Sequence, residues 1–285
     1  MTEKVLIVLH QEQSTPGRVG YALRQRGYEL DICRPRFGDP LPSTMAEHAG
    51  AVIFGGPQSA NDPDDFIKAE IDWIAVPLRE NKPYLGICLG AQMLAKQLGE
   101  RVFTHPEGKA EVGYYPVRPT PAGRAICDWP AYQYQWHREG FDLPRGTELL
   151  AEGDIFRTQA FRAGSGFAIQ FHAEVTHAMM CRWTTRGAAR MELPGAKQRH
   201  EHFADRPAYD HGIRAWLSDF LDHWLTVGQP QQLASYFASS RSTRARSGNS
   251  RIQIATISSV PTPPISTAGT APNHDAIAPA RNSPS

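Results

Sequence analysis

The first hundred residues alternate between apolar segments of strand length and amphipathic segments of helix length. Strands are predicted over residues 5–9, 28–33, 51–54 and 83–88. Helices are predicted over residues 16–26, 64–80 and 89–98. Strands that alternate with helices pair in parallel through right-handed crossovers. The pattern therefore predicts an α/β domain of three layers, in which a mostly parallel central sheet has helices on both faces.

The pattern of polar and apolar residues changes between residues 101 and 170. Short alternating runs such as VGYYPV, AYQYQWH and TQAFRAG replace the longer amphipathic segments. Alternation of polar and apolar residues is typical of strands with one exposed face, so antiparallel strands appended to the sheet are predicted. The last strand is predicted over 166–171, and two closing helices over 176–187 and 213–227.

Residues 229–285 differ in composition from everything before them. They are rich in Ser, Thr, Pro, Ala and Arg, and five arginines against one acidic residue give them a net charge of +4. Such a segment buries too little apolar surface to offset its ordering entropy. We predict one domain over 1–228 and a disordered Ser/Pro/Arg-rich tail over 229–285. The tail is a plain extension or a weakly basic tether for an acidic partner.

The overall composition favours an ordinary globular enzyme. Apolar residues make up 41% of the chain and the net charge is +1, so neither a nucleic acid nor a membrane is expected as a partner. The apolar run after the first four residues is too short to span a bilayer, and a cytoplasmic location is expected. The four cysteines include no close pair, so we expect no metal and no cofactor.

The segment GICLG, residues 86–90, joins a predicted strand directly to a predicted helix. This is a cysteine version of the sharp strand-to-helix turn that elsewhere holds a nucleophilic serine. Side chains at Gly86 and Gly90 are expected to collide with the neighbouring backbone. Cys88 would lie at the carboxyl end of a central strand, where a helix amino-terminus favours the thiolate. The alternative is an ordinary buried cysteine.

The run FAIQFHAEVTH offers a base for such a nucleophile. His172 ends a predicted strand and Glu174 follows two residues later, so in extended chain the two side chains share a face. Glu174 could then hold the tautomer of His172 that presents its other nitrogen to Cys88. The alternative is a surface pair at the end of a strand. His177 is a competing base, but it lacks a carboxylate two residues on.

Two backbone segments are candidates to stabilise an oxyanion. The N–H of Leu89 directly follows the nucleophile at the start of the helix. A second donor could come from the Gly-Gly-Pro turn at residues 55–57, which follows the third strand. A plain turn that ends the strand is the alternative.

Taken together, these sequence segments resemble those of the class I glutamine amidotransferases (GATase type 1), especially of their stand-alone, GMP-synthase-like group. The resemblance extends from the start of the chain to about residue 227. Its motifs follow the family's order and are GGPQSAND (55–62), GICLGAQMLA (86–95), YQWHREGFDLP (134–144) and QFHAEVTH (170–177).

The resemblance implies a flavodoxin-like fold and assigns roles to individual residues. It makes Cys88 the nucleophile, His172 the base and Glu174 its partner. Further roles are implied for the oxyanion hole, at Gly56 and Leu89, and for substrate binding, by Gln92 at the amide and by the backbone near Gln135 and Trp136 at the α-amino and α-carboxylate groups. The implied reaction is hydrolysis of glutamine through a γ-glutamyl thioester, with ammonia passed to an acceptor.

The sequence departs from the family's pattern in three ways. Ala173 occupies a position that is usually proline, and Arg138 and Glu139 replace a more usual Gly-Asp pair. No synthetase half and no phosphate loop of the SGGxDS type follows the matched region. We therefore expect either a separate synthetase or acceptor subunit, or use of the γ-glutamyl chemistry by this chain alone.

Three functions remain open at this point. The first is a glutamine amidotransferase or glutaminase. The second is a γ-glutamyl peptidase that acts on amides such as glutathione, which would need the same three residues. The third is a non-catalytic binding or regulatory module on the same fold.

Overall fold

A computed structural model describes residues 3–228 of the chain. The predicted tail at 229–285 lies outside the described residues, so the predicted domain boundary at 228 stays a prediction. The described region is built from strands and helices in the order that the sequence pattern indicates for its first hundred residues.

Twelve strands are present between residues 3 and 228. They are β1 (Lys4–Val8), β2 (Glu29–Cys33), β3 (His48–Ile53), β4 (Tyr84–Ile87), β5 (Val102–Thr104), β6 (Glu111–Pro116), β7 (Arg118–Pro119), β8 (Tyr132–His137), β9 (Glu139–Phe141), β10 (Glu148–Glu152), β11 (Thr158–Ala163) and β12 (Gly166–Ile169).

Seven α-helices accompany these strands in the same region. They are α1 (Gly17–Gln25), α2 (Asp65–Trp73), α3 (Ala75–Arg79), α4 (Leu89–Gln97), α5 (Pro121–Arg124), α6 (His177–Arg186) and α7 (Arg199–Thr226). Two short 3₁₀ helices lie at Pro35–Phe37 and Ala188–Glu192.

Eight strands form the central sheet, in the order β2-β1-β3-β4-β12-β11-β10-β7. The first five pair in parallel, and β11, β10 and β7 continue the sheet with antiparallel pairing. This confirms the predicted fold class. It also makes β4 and β12 direct neighbours, so the segments that follow them emerge side by side.

The alternation of side chains along β1 shows how the layers form. Val5 and Ile7 belong to one buried core with residues of α1 and α7. Leu6 and Val8 belong to a second core on the other face, with residues of α2 and α4. Each such buried side chain contributes about 1.5–3 kcal/mol. Burial on both faces explains why the strand is apolar throughout.

The single helix predicted over 64–80 is wrong, because the structure has two helices there. The first ends at Trp73 and the second begins at Ala75. Pro77 has no N–H to donate to the carbonyl of Trp73, four residues earlier, and its ring crowds that carbonyl. The chain therefore bends where the proline interrupts the hydrogen bonds.

The final helix is much longer than the predicted 213–227. It begins at Arg199, where the side chains of Gln198 and Glu201 form a capping box. Pro207 and Gly212 disfavour a helix locally in its amino-terminal half. Contacts outweigh that local preference, since the buried ring of His202 bonds the hydroxyl of Tyr134 at 3.0 Å.

The predicted antiparallel strands are appended to the central sheet as β11, β10 and β7, but the runs VGYYPV and AYQYQWH do not join it. Strands β6 and β8 form a separate two-stranded ribbon, and β5 and β9 form another. Alternation alone shows that a strand has two unlike faces, but it does not identify the neighbour with which the strand pairs. The β6–β8 ribbon packs against α7, with the rings of Tyr114 and Tyr209 5.5 Å apart.

No helix between residues 3 and 228 is both long enough and apolar enough to cross a bilayer.

Candidate active site

Cys88 occupies a strained turn between β4 and α4. Its φ of 52° and ψ of −102° lie in a region that residues other than glycine rarely adopt. A Cβ on Gly86 would lie 2.4 Å from the carbonyl oxygen of Gly90, and one on Gly90 would lie 2.2 Å from that of Ile53. The turn therefore needs both flanking glycines, as the sequence predicts.

The same turn fixes Cys88 relative to the next strand. The backbone N–H of Cys88 donates to the carbonyl oxygen of Ile169 at 2.8 Å, which extends the pairing of β4 with β12. Because β12 ends at Ile169, the chain that follows it reaches the edge of the sheet beside Cys88.

His172 and Glu174 lie in that following segment. Nδ1 of His172 is 2.7 Å from Oε1 of Glu174, and both side chains are buried. The contact that the spacing predicts is therefore present, although it forms in a turn after β12 rather than in extended strand. The N–H of His172 also donates to the carbonyl oxygen of Tyr134 at 2.7 Å, which ties the segment to β8.

Cys88 and His172 flank the same glycine. A Cβ on Gly55 would lie 2.7 Å from Cε1 of His172 and 3.4 Å from Cβ of Cys88. Nε2 of His172 is buried and has no hydrogen-bond partner among residues 3–228. This nitrogen is therefore available for a proton shared with the sulfur or with a ligand.

The surroundings of His172 favour its charged form. Burial lowers the pKa of His172, but interactions with Glu174 and with Cys88 together raise it more, so that the pKa is raised to about 10. The ring is therefore protonated at neutral pH. An imidazolium in this position can protonate a leaving amine.

Both residues open onto a cleft of about 550 Å³, which we call the Cys88 cleft. Its walls come from the loop after β1 (11–15), the turn after β3 (54–57) and the region of α6 and the residues after it (179–190). The first and the third of these walls are not predicted from the sequence pattern. His177, the competing base, is not among the lining residues, and its ring packs against Phe203 instead.

Trp183 of α6 is one of the missed residues. Its ring meets the ring of His172 edge-on, with centroids 4.9 Å apart. An aromatic residue on an amphipathic helix is usual for packing, so the sequence offers no signal for this contact. The indole limits the positions that the imidazole can adopt.

The two predicted oxyanion-hole residues come from two different segments of the fold. Gly56 lines the Cys88 cleft, and Leu89 begins α4 directly after Cys88. The turn at Gly56 rests on His10, because a Cβ on Gly56 would lie 2.9 Å from Cβ of His10. His10 is itself buried, with Nε2 2.8 Å from Oε2 of Glu70.

The three predicted substrate-binding residues differ in position. Trp136 lines the Cys88 cleft, whereas Gln92 and Gln135 are not among its lining residues. Nε2 of Gln92 donates to the carbonyl oxygen of Glu139 at 2.9 Å. Nε2 of Gln135 donates to Oε1 of Gln159 at 2.6 Å. Both amides are thus engaged within the protein, and the three binding roles stay predictions.

Between residues 3 and 228, no group of three or more His, Cys, Asp or Glu side chains is arranged to hold a metal ion.

Comparison with known sequences gives a consistent family. The sequence profile of the family described as glutamine amidotransferase class-I matches residues 12–182. The glutamine amidotransferase-like protein YfeJ of Salmonella typhimurium is 30% identical over 184 residues, 61% of this chain and 76% of YfeJ. The glutamine-hydrolysing GMP synthase of Pyrobaculum aerophilum is 30% identical over 61% of this chain but 33% of its own length. The chain thus spans about a third of that synthase.

Solved structures resemble the described fold. A glutamine amidotransferase from Thermotoga maritima superposes with a TM-score of 0.71 at 28% identity, covering 79% of this chain and 99% of the other. A glutamine amidotransferase from Methylobacillus flagellatus superposes with a TM-score of 0.72 at 22% identity, covering 79% and 95%. The second likeness concerns the fold alone.

Proposed function

This chain belongs to the class-I glutamine amidotransferase family, and from that premise we propose that it hydrolyses the side-chain amide of glutamine through a γ-glutamyl thioester on Cys88. The observation that carries the proposal is the position of Cys88. Cys88 stands at a strained turn, and both Cys88 and the ring of His172 lie against Gly55. Nδ1 of that ring is hydrogen-bonded to Glu174. Nucleophilic catalysis by a thiol needs this set of groups.

In the proposed first half-reaction, the sulfur of Cys88 attacks the γ-carbonyl carbon and a C–S bond forms. The thiol proton resides on His172, and the imidazolium then transfers it to the nitrogen of the leaving group. The C–N bond breaks and ammonia departs. The raised pKa of His172 suits this step, since the ring holds a proton at neutral pH until the amine takes it.

In the second half-reaction, water attacks the thioester carbon. His172, now neutral, accepts a proton from the water, the C–S bond breaks and glutamate leaves. Glu174 keeps the ring in the orientation that both steps need, because it holds Nδ1 at 2.7 Å. The sum of the two steps is hydrolysis of the amide to glutamate and ammonia.

Both half-reactions place negative charge on the former carbonyl oxygen. We propose that the N–H groups of Gly56 and Leu89 stabilise it, as preorganised backbone donors do in other acyl transfers. The buried pair of His10 and Glu70 supports this assignment, because His10 lies against Gly56 and its Nδ1 is 3.3 Å from the carbonyl oxygen of Gly55.

The ammonia requires an acceptor, which we propose is held by a separate synthetase subunit. The support is the comparison with the P. aerophilum GMP synthase, of which the matched region is only 33%. Copurification with a partner that raises ammonia incorporation into a nucleotide acceptor would test this point. Glutaminase activity that no partner alters would count against it.

A γ-glutamyl peptidase is the second candidate function. It would use the same thioester and differ only in the amine that leaves. The observation that favours it is that one wall of the Cys88 cleft carries Arg182, Arg186 and Arg190.

Trapping the nucleophile tests the thioester proposal. A diazoketone analogue of glutamine should label Cys88 at pH 7.5, as located by peptide mass spectrometry. Burial raises the pKa of both Cys33 and Cys127 to about 12, so these thiols stay protonated and unreactive. Cys181→Ser should label like the wild type, which makes it the matched control.

The outcome of the trapping separates the candidate functions. Label at Cys181 instead of Cys88, or full amidase activity in Cys88→Ala, would overturn the proposal. A wild type that neither labels nor cleaves any γ-glutamyl amide would favour the non-catalytic module.

A further inference from the structure

One wall of the Cys88 cleft carries three arginines. Arg182 and Arg186 lie four residues apart on α6, so their side chains project from one face of the helix. Arg190 follows in the 3₁₀ helix at Ala188–Glu192. All three line the same cleft as Cys88. We call this set the arginine wall.

Within the described part of the chain, the guanidinium groups of the arginine wall form no ion pair with a carboxylate. None of the ion pairs between residues 3 and 228 includes them. Arg186 donates to Oε1 of Gln13 at 3.2 Å, and Arg190 donates to the carbonyl oxygen of Trp136 at 3.3 Å. Both acceptors are neutral.

Arg190 is the group for which this absence matters most. It is partly buried, and burial lowers its pKa because a cation loses hydration, while Cys88 and Glu139 act in the opposite sense. The partly buried Arg18 differs, since its Nη2 donates to both carboxylate oxygens of Asp210 at 2.7 and 2.8 Å. Arg190 thus feels negative charge nearby but lacks the directly bonded carboxylate that Arg18 has, and a substrate carboxylate can take that place.

The other charges of the Cys88 cleft do not neutralise the wall. Two carboxylates line the cleft, at Glu12 and Glu174. Glu12 is exposed to solvent, and Glu174 is bonded to His172. The cleft volume of about 550 Å³ falls within the range of about 300–1,000 Å³ that holds drug-sized ligands. It exceeds what glutamine alone would fill.

We propose that the arginine wall binds two substrate carboxylates, so that the site accepts, besides glutamine, a γ-glutamyl amide of an amino acid or peptide. Arg190 takes the α-carboxylate of the γ-glutamyl part, and Arg182 and Arg186 take a carboxylate on the leaving amine. This inference rests on the proposed thioester chemistry.

The positions of the arginines determine this division. Glutamine carries one carboxylate, which one guanidinium can bind in a bidentate manner. Arg190 is the partly buried member and interacts electrostatically with Cys88, so it suits the part that stays bound as the thioester. Arg182 and Arg186 are exposed. They therefore suit the leaving amine, which must depart into solvent.

The chemical steps need no further reactant. The sulfur of Cys88 forms the bond to the γ-carbon, and the C–N bond breaks. The imidazolium of His172 gives its proton to the amine nitrogen, and an amino acid or shortened peptide leaves instead of ammonia. Water then cleaves the thioester and glutamate leaves.

The test compares γ-glutamylglycine with γ-glutamyl methylamide, which lacks the second carboxylate. In the wild type, kcat/KM for γ-glutamylglycine should exceed that for γ-glutamyl methylamide roughly tenfold, the size of one hydrogen bond to a charged group. Arg186→Gln should bring this ratio close to one. Misfolding lowers both rates and leaves the ratio unchanged, so the ratio reports recognition. The exposed Arg214→Gln on α7 is the matched control and should keep the wild-type ratio.

Three outcomes would overturn the inference. The first is a wild-type ratio of the two kcat/KM values near one. The second is a raised ratio that stays the same in Arg182→Gln and in Arg186→Gln. The third applies if neither compound is turned over, and it is equal affinity of Cys88→Ala for both compounds in calorimetry. Diazoketone labelling of Cys88 without any carboxylate preference would remove this inference but keep the proposed thioester chemistry.

Discussion

The carbonyl oxygen of Glu174 accepts a hydrogen bond from the backbone N–H of Arg18 at 2.9 Å. This contact joins the start of α1 to the carboxylate residue that holds His172. The preceding residue, Gly17, has a φ of +51°, and a Cβ there would lie 2.3 Å from the same carbonyl oxygen. The position of Glu174 therefore depends on a glycine more than 150 residues away in sequence.

We expect Gly17→Ala to impair catalysis. The added methyl must displace the backbone of Glu174, and misplacing a catalytic group by about 1 Å can lower the rate on the order of 10²-fold. Gly27→Ala is the matched control, because Gly27 also has positive φ but has open space around its Cβ position. Both variants should lower Tm through backbone strain. Equal kcat/KM in the two variants would contradict the proposed link.

We expect the alkaline limb of the pH profile to depend on Glu174. Burial lowers the pKa of His172, while Glu174 and Cys88 raise it to about 10 overall. The proton needed by the leaving amine is thus present at neutral pH and is lost as the pH rises through that value. Glu174→Gln removes the largest raising interaction and should move the limb to lower pH.

The pH dependence of Cys88 labelling by the diazoketone measures this shift even if turnover is slow. Glu12→Gln removes a carboxylate that also lines the Cys88 cleft and should leave the limb in place. An alkaline limb that Glu174→Gln leaves in place would argue against the assigned pair.

We expect His10→Ala to reduce both stability and kcat. The substitution leaves the buried Glu70 without its hydrogen-bond partner, which costs about 1–3 kcal/mol. It also removes the support of the turn at Gly56, and loss of one oxyanion donor lowers kcat about 10²–10³-fold. His48→Ala is the matched control, because His48 is buried and bonded to Asp31 at 2.9 Å but lies outside the Cys88 cleft. It should lower the free energy of unfolding and leave kcat intact.

We expect Trp183→Leu to lower kcat about tenfold through looser placement of the His172 ring. The effect should appear in kcat more than in KM, because the indole touches the imidazole. Trp129→Leu is the control for a lost aromatic ring, since Trp129 packs edge-on against Phe171 in the core. If both substitutions change kcat alike, the contact with His172 is only structural.

The parts of the fold that could be predicted depend on short-range pattern. Strands β1, β3 and β4 are largely apolar runs because both of their faces are buried, and such runs are visible in sequence. The turn at Cys88 could be predicted because two glycines must stand where a Cβ would collide with backbone. Parallel pairing then places the ends of β4 and β12 together.

The parts that could not be predicted depend on contacts between distant segments. The amino-terminal half of α7 is held by a capping box and by the bond of His202 to Tyr134, neither of which alters the local pattern of polar residues. The pair of His10 and Glu70 joins residues 60 positions apart. Nothing in either local sequence indicates that a titratable side chain is buried there.

The neighbouring strands β4 and β12 have a consequence for how specificity can change. Their shared hydrogen bonds hold the thiol and the imidazole from inside a rigid sheet. The arginine wall, by contrast, belongs to α6 and the turn after it. New side chains on that helix can thus exchange one class of amide for another while the distance between sulfur and ring stays as the sheet sets it.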